Sequence, residues 1–215
     1  MAGIFITFEG IEGCGKSTQA ELLKGYLEKE GHDVIHTREP GGTPVAECIR
    51  TILLDPANKQ MTPETELLLY MAARHQHTTE LLLPTLESGK IVICDRYFDS
   101  TFAYQGAARK IDDKIVRYFN QYASLKLVPD LTIILDIPVD LSRYRMFKKT
   151  LDRIESESLE FHNTVRENFQ NLPNVYDRCV LLNGRGAIND IHNEVIKVVN
   201  EKLEELTHVK DDQSQ

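Results

Sequence analysis

Long apolar stretches are missing from this chain. In 215 residues the longest unbroken apolar run is 67–73, far short of the ~20 residues that span a bilayer, so a helical transmembrane protein is excluded. A basic leader is missing as well. The first residues read MAGIFITFEG, with Glu9 and Glu12 arriving early, and the expectation is a cytoplasmic protein with no membrane partner. Cysteine is sparse: Cys14, Cys48, Cys94 and Cys179 lie far apart and form no CxxC pair, which argues against a zinc ribbon or a disulfide scaffold and for reduced thiols. Positive charge is in deficit, 25 basic against 33 acidic residues for a net charge of −8. A surface built broadly for nucleic-acid backbone is therefore not expected, and any polyanion must be met locally. His75 and His77 stand two apart on an expected helix, where they face different ways and share a metal poorly.

What is present is an ordinary globular mixture, 41% hydrophobic and 27% charged, in a length that suits one domain. Short β-rich apolar runs occur at 3–8 (GIFITF), 33–37, 90–94, 131–136 and 178–182, with helical patterns between them. Near-continuous apolar strands alternating with helices imply an α/β fold, a parallel sheet covered on both faces. Helices are expected over 16–30, 63–83 with Pro84 interrupting the pattern, 112–125, 139–149, 151–170 and 188–206. No repeat or linker marks a second domain, so 1–207 reads as a single domain and the polar 208–215 as a frayed tail.

The strongest local signal lies between the first strand and the first helix. Gly10, Ile11, Glu12, Gly13, Cys14, Gly15, Lys16 and Ser17 fit GxxxxGK[ST], followed by Thr18. The glycines let backbone N–H groups converge on phosphate oxygens, the helix N-terminus favours negative charge, Lys16 neutralises the outer phosphates and Ser17 is placed for Mg²⁺. A P-loop alone does not separate a switch from a kinase. The base-reading NKxD segment of a GTPase is not met, since Asn58-Lys59 is followed by Gln60-Met61, and Asp95 is followed by Arg96-Tyr97-Phe98 instead of a DxxG. Asp95 and Arg96 fall at the carboxyl end of the third strand, where open α/β sheets bind ligands; the carboxylate can reach a metal and the guanidinium a phosphate. Arg38 ends the second strand. Two arginines at two strand ends suggest a second phosphoryl group beside the P-loop.

GIEGCGKST, TREPGGT, AARHQH, DRYFDSTFAYQG and DRIESESLEFH, in this order and spacing, resemble the thymidylate kinase family in its bacterial form, over roughly residues 3–169. The resemblance implies a P-loop fold with a five-stranded parallel sheet, usually a homodimer, and transfer of the γ-phosphoryl group of ATP to dTMP. By motif position it implies that Arg38 and Arg96 hold the dTMP phosphate, with Glu9 and Asp95 beside Mg²⁺ and the phosphates. Arg74 would reach the thymine edge and Tyr70 stack on the ring, although Tyr70 also reads as one apolar member of a helix stripe. Ser100, Thr101, Tyr104 and Gln105 would line the base and sugar pocket. In one branch of the family the P-loop supplies a catalytic arginine; here Gly13 occupies that stretch. The basic run containing Arg143, Arg145, Lys148, Lys149 and Arg153 resembles the arginine-bearing lid of the bacterial branch, at about 143–154. Within it Arg153 is expected to act catalytically with Lys16, Asp95 and Arg96, and Arg143 and Arg145 to meet ATP.

Overall fold

The structure is a computed structural model and describes residues 3–212. Each expected strand forms, displaced by one residue at most: β1 (Ile4–Glu9), β2 (Val34–Arg38), β3 (Ile91–Asp95), β4 (Leu131–Asp136) and β5 (Cys179–Asn183). All neighbours are parallel, in the order β2-β3-β1-β4-β5. In β1, Ile6 and Phe8 pack into the larger core with Leu23, Ile93, Ile133 and Val195, while Phe5 faces the opposite layer with Leu82, Val92 and Tyr97. Burial on both faces is what makes the strands read as continuous apolar runs. The carboxyl ends of β1, β2 and β3 lie in register, Phe8 beside Asp95 and Asp95 beside Arg38, so one sheet edge gathers the P-loop, Arg38 and Asp95.

The described helices are α1 (Lys16–Lys29), α2 (Pro44–Leu54), α3 (Pro63–His77), α4 (Leu83–Glu87), α5 (Phe98–Thr101), α6 (Asp113–Ala123), α7 (Val139–Met146), α8 (Leu159–Asn171) and α9 (Ile188–Asp212). Besides α2 and α5, not expected from the sequence, the main departures are four, three of them with local causes. Pro84 does not break the helix begun at Pro63: a π turn over Thr78–Leu82 widens it, and Pro84 falls in the first turn of α4, where an N–H is not needed. A second π segment, Phe102–Ala108, continues α5. Residues 151–158 form turns instead of helix, because Asp152 Oδ1 accepts from the N–H groups of Ile154 (2.9 Å) and Glu155 (2.8 Å) and Ser158 caps α8 by accepting from Phe161. Finally, α9 runs to Asp212, since no glycine or proline follows Leu206 to stop it; of the expected frayed tail, 213–215 lie outside the described residues.

One buried ion pair ties this scaffold together. Asp99, fully buried on α5, accepts two bonds of 2.8 Å from Arg178, which also donates to Thr132 Oγ1 on β4 (2.6 Å). Removing one partner of such a pair strands the other charge, at a cost of about 3–5 kcal/mol. Arg178→Met should therefore lower Tm by roughly 6–20 °C in a domain of this size. A shift under ~2 °C in a thermal melt would mean that solvent replaces the pair at little cost.

Candidate active site

At the shared sheet edge a cavity of about 340 Å³ opens between the P-loop, the carboxyl half of α2, the face of α3 and the α5–π segment. On one side the loop is built around glycines held at positive φ. Gly10 sits at φ +132°, and a Cβ there would meet the Leu135 carbonyl oxygen at 2.5 Å. Lys16 Nζ lies over the loop, donating to the carbonyl oxygens of Gly10 (3.1 Å) and Ile11 (3.0 Å). Beside it Ser17 Oγ donates to Asp95 Oδ2, which brings two hard oxygen ligands together at the start of α1.

The other wall carries arginines, three of them held by carboxylates. Arg96 adopts φ +72°, a conformation that strains a non-glycine residue by about 1–2 kcal/mol. Its contacts over-determine it: the backbone N–H donates to the Phe8 carbonyl (2.9 Å), and the guanidinium donates to Glu12 Oε1 (2.8 Å) and Ser100 Oγ (3.1 Å) while lying over the Tyr104 ring. Tyr104 donates its hydroxyl to the same Glu12 oxygen (2.7 Å). Burial pushes the Glu12 carboxyl upward, but the charges of Arg96 and Lys16 and the Tyr104 hydroxyl hold it below the usual carboxylate range. Arg38 is half exposed and paired with Glu47 of α2 through two contacts of 2.9 Å. Arg74 is almost wholly buried, donating to Glu39 (2.8 Å), Thr101 Oγ1 (2.8 Å) and Asn120 Oδ1 (2.6 Å). Tyr70, whose phenol is raised by burial and by Glu66, and Gln105 complete the wall.

The structure thus brings together Glu12, Gly13, Lys16, Ser17, Arg38, Tyr70, Arg74, Asp95, Arg96, Ser100, Thr101, Tyr104 and Gln105 around one cavity. Of the other expected site residues, Gly10, Ile11, Cys14, Gly15 and Thr18 belong to the loop and the start of α1, Arg143 and Arg145 lie on α7, and Glu9 and Arg153 are turned away from the cavity. Glu9 does not line the cavity and is not placed as a metal ligand: it is fully buried, accepting from the N–H of Tyr97 (2.8 Å) and of Ser100 (3.3 Å) and from Ser100 Oγ (2.6 Å), so it braces the segment behind Arg96. Nor is Arg153 a lid residue facing the phosphates. Its guanidinium is buried against Glu66 (2.7 Å) and the Leu53 carbonyl (2.8 Å), drawn inward by a carboxylate that local sequence does not reveal.

The expected lid does meet the loop through α7. Arg145 donates to the carbonyl oxygens of Gly13 and Gly184, both at 3.1 Å, and Ser142 Oγ donates to the Glu12 carbonyl (2.7 Å). Arg143 is exposed beside a smaller cavity of about 220 Å³ between α7 and α8. Glu39, Arg50 and Lys149 also line the main cavity; Glu39 sits inside TREPGGT and Lys149 inside the basic run, while Arg50 belongs to no motif. His77 bonds Glu39 and Thr37, whereas His75 stacks on Tyr122.

Two outcomes follow from these placements. Arg153→Ala should cost about 1.5–3 kcal/mol, the worth of charged hydrogen bonds, and lower Tm by several degrees. Steady-state kinetics should show the KM for ATP within about threefold of wild type; a large loss of kcat at unchanged Tm would return Arg153 to the phosphates. Glu9 is pushed up to about 7 by burial, with Asp99 adding to the rise and Arg96 opposing it. Its contribution to stability is complete below the ordinary value of 4.5 and is lost as pH rises through 7. Urea unfolding of wild type and Glu9→Gln between pH ~5 and ~8 should show the wild type losing stability relative to the variant up to about pH 7. A constant gap would give Glu9 ordinary acidity.

The sequence model of thymidylate kinase matches residues 8–195. A thymidylate kinase of Geotalea uraniireducens (strain Rf4) is 44% identical over 211 residues, covering 94% of this chain and 99% of the relative, and that of Geobacter sulfurreducens is 49% identical over 177 residues, 79% of this chain and 83% of the relative. Among solved structures, the thymidylate kinase of Ehrlichia chaffeensis superimposes with a TM-score of 0.77 at 35% identity, over 93% of this chain and all of that one. With the P-loop, the paired arginines and the five-stranded sheet already in place, these likenesses establish that the chain belongs to the thymidylate kinase family.

Proposed function

We infer that the chain transfers the γ-phosphoryl group of ATP to the 5′-phosphate of dTMP, giving dTDP and ADP for dTTP synthesis. One observation carries the reading: the Lys16–Ser17 end of the P-loop faces Arg38 and Arg96 across a single cavity, so cations stand ready for two phosphate chains. ATP lies along the loop from Gly10 to Thr18, and the dTMP phosphate meets Arg38 and Arg96, for which a bidentate guanidinium is suited. The base rests between Tyr70, Arg74, Thr101 and Gln105, and the sugar near Ser100 and Tyr104. A phosphate monoester has a second pKa near ~6, so the acceptor is already nucleophilic at pH 7 and no general base is needed. Catalysis is then alignment of two polyanions and neutralisation of charge on the migrating group by Lys16 and Arg96.

Ser17 and Asp95 would hold Mg²⁺, their touching oxygens fitting a hard cation, and the ion would screen the β- and γ-phosphates. Among the described residues no group of three His, Cys, Asp or Glu side chains forms a metal cage, in keeping with an ion carried largely by nucleotide and water. The segment 143–154 is the lid of a single kinase domain. Its closing cations are Arg145, already on the P-loop, and Lys149, which lines the cavity and is paired with Glu155 at 2.6 Å.

The working form is a homodimer. Ile115, Tyr118 and Tyr122 recur at i, i+3 and i+7 on α6 and stay exposed, as does Leu68 on α3, which packs against α6, an apolar face suited to a second copy. No helix among the described residues is long and apolar enough to cross a membrane. With the acidic surface, this supports a cytoplasmic enzyme without membrane or nucleic-acid partners.

In an ADP-release assay with ATP against dTMP, dUMP, UMP, CMP, GMP and AMP, dTMP should give the highest kcat/KM; a different preferred base would overturn the assignment. Lys16→Ala should retain less than about a tenth of wild-type kcat, a barrier increase above ~1.4 kcal/mol, with its melting curve unchanged.

A further inference from the structure

Behind the cavity wall stands a carboxylate that the reaction does not use. Glu66, on α3 and almost completely buried, receives three hydrogen bonds and one further ion-pair contact. Its Oε1 accepts from Gln105 Nε2 (2.8 Å) and Arg109 Nε (3.2 Å), and its Oε2 accepts from Arg109 Nη2 (3.1 Å) and is ion-paired with Arg153 Nη1 (2.7 Å). Both oxygens are engaged, and an ionised carboxylate can only accept. Burial pushes this carboxyl upward, yet the bonds from Arg109 and Gln105 and the charges of Arg109 and Arg153 hold it below the usual carboxylate range. At neutral pH it has no proton to give.

An amide side chain by itself is ambiguous, because its carbonyl oxygen and its NH₂ are nearly the same size and a flip reverses what it recognises. Against an acceptor-only partner just one orientation fits: the NH₂ of Gln105 points to Glu66, and Oε1 is the opposite end. Gln105 lines the cavity with Arg74, whose guanidinium offers donors and no acceptor. An acceptor next to a donor matches a pyrimidine edge whose ring N3 carries hydrogen beside a carbonyl oxygen. It opposes an edge whose N3 is an acceptor beside an amine.

We propose that Glu66 is a positioning residue for base selection, holding the Gln105 amide so that its oxygen accepts from the N3–H of thymine and rejects cytosine. This rests on dTMP being the acceptor nucleotide. Arg109 and Arg153 keep the selecting carboxylate charged and fixed, which gives the end of the segment 143–154 a part in choosing the base.

The test compares kcat/KM for dTMP and dCMP in the full-length enzyme, taking the inhibition constant of dCMP where its turnover is too slow. In Glu66→Gln the partner can donate or accept, so Gln105 loses its fixed orientation. The dTMP/dCMP ratio should fall at least ~10-fold, mostly through the KM for dTMP, with the KM for ATP within about twofold. Glu66→Asp, still acceptor-only, should keep the ratio within about threefold of wild type. A wild-type ratio in Glu66→Gln, or equal losses in both variants, would overturn the proposal. Should Glu66→Gln fail to fold, wild-type NMR decides: Overhauser contacts from the Gln105 NH₂ protons should run to α3, and contacts to bound dTMP would sink the idea. A wild type unable to phosphorylate dTMP fails the functional reading itself, whereas an active wild type with unaltered selection in the variant fails only the role of Glu66.

Discussion

A guanidinium placed at a buried sheet edge needs a carboxylate beside it, and that requirement organises this site. The protein is acidic overall, yet it must meet two phosphate chains. Concentrating cations without partners would cost the desolvation of each charge. Arg96 is held by Glu12, Arg74 by Glu39 and Arg38 by Glu47, while Arg109 and Arg153 share Glu66. The most exposed of the cavity arginines, Arg38, is also the one that can turn to an incoming anion at least cost. The buried ones serve better as fixed walls, since moving them would strand a carboxylate.

Much of the scaffold was legible because its physics is local. Buried parallel strands are continuous apolar runs, and α1 and α6 announce themselves by periodicity and by a following Gly31 or a leading Asp112. Helix α2 is not among the expected helices even though Thr43-Pro44 repeats the Thr62-Pro63 start of α3; the turn-rich glycines just before it mask that start. The reverse error befell 151–158, where helical spacing was present but the side chains of Asp152 and Ser158 compete for the backbone N–H groups. The π segments have no sequence signature at all.

Legibility at the site divides the same way. A P-loop is one contiguous device, so its residues and their neighbour Asp95 could be read in order. Arg153 and Glu9 could not, because a residue's role there depends on which distant group claims it: Glu66 is 87 positions from Arg153 in sequence, and Ser100 is 91 from Glu9. Charge in a run suggests a lid, but the direction of each side chain is a tertiary fact.

Gly13 shows how one such fact constrains another. It sits at φ +69°, and a Cβ there would lie 3.2 Å from the Ser142 carbonyl and 3.4 Å from Met146. A long side chain at 13 would have to push α7 off the loop, breaking the bonds from Ser142 to Glu12 and from Arg145 to Gly13. A long side chain in the loop, such as the resemblance implies for the other branch, and the docked α7 of this chain therefore compete for the same space. With glycine in the loop, a cation for the phosphates has to arrive on α7 or the segment just after it, where Arg145 and Lys149 stand.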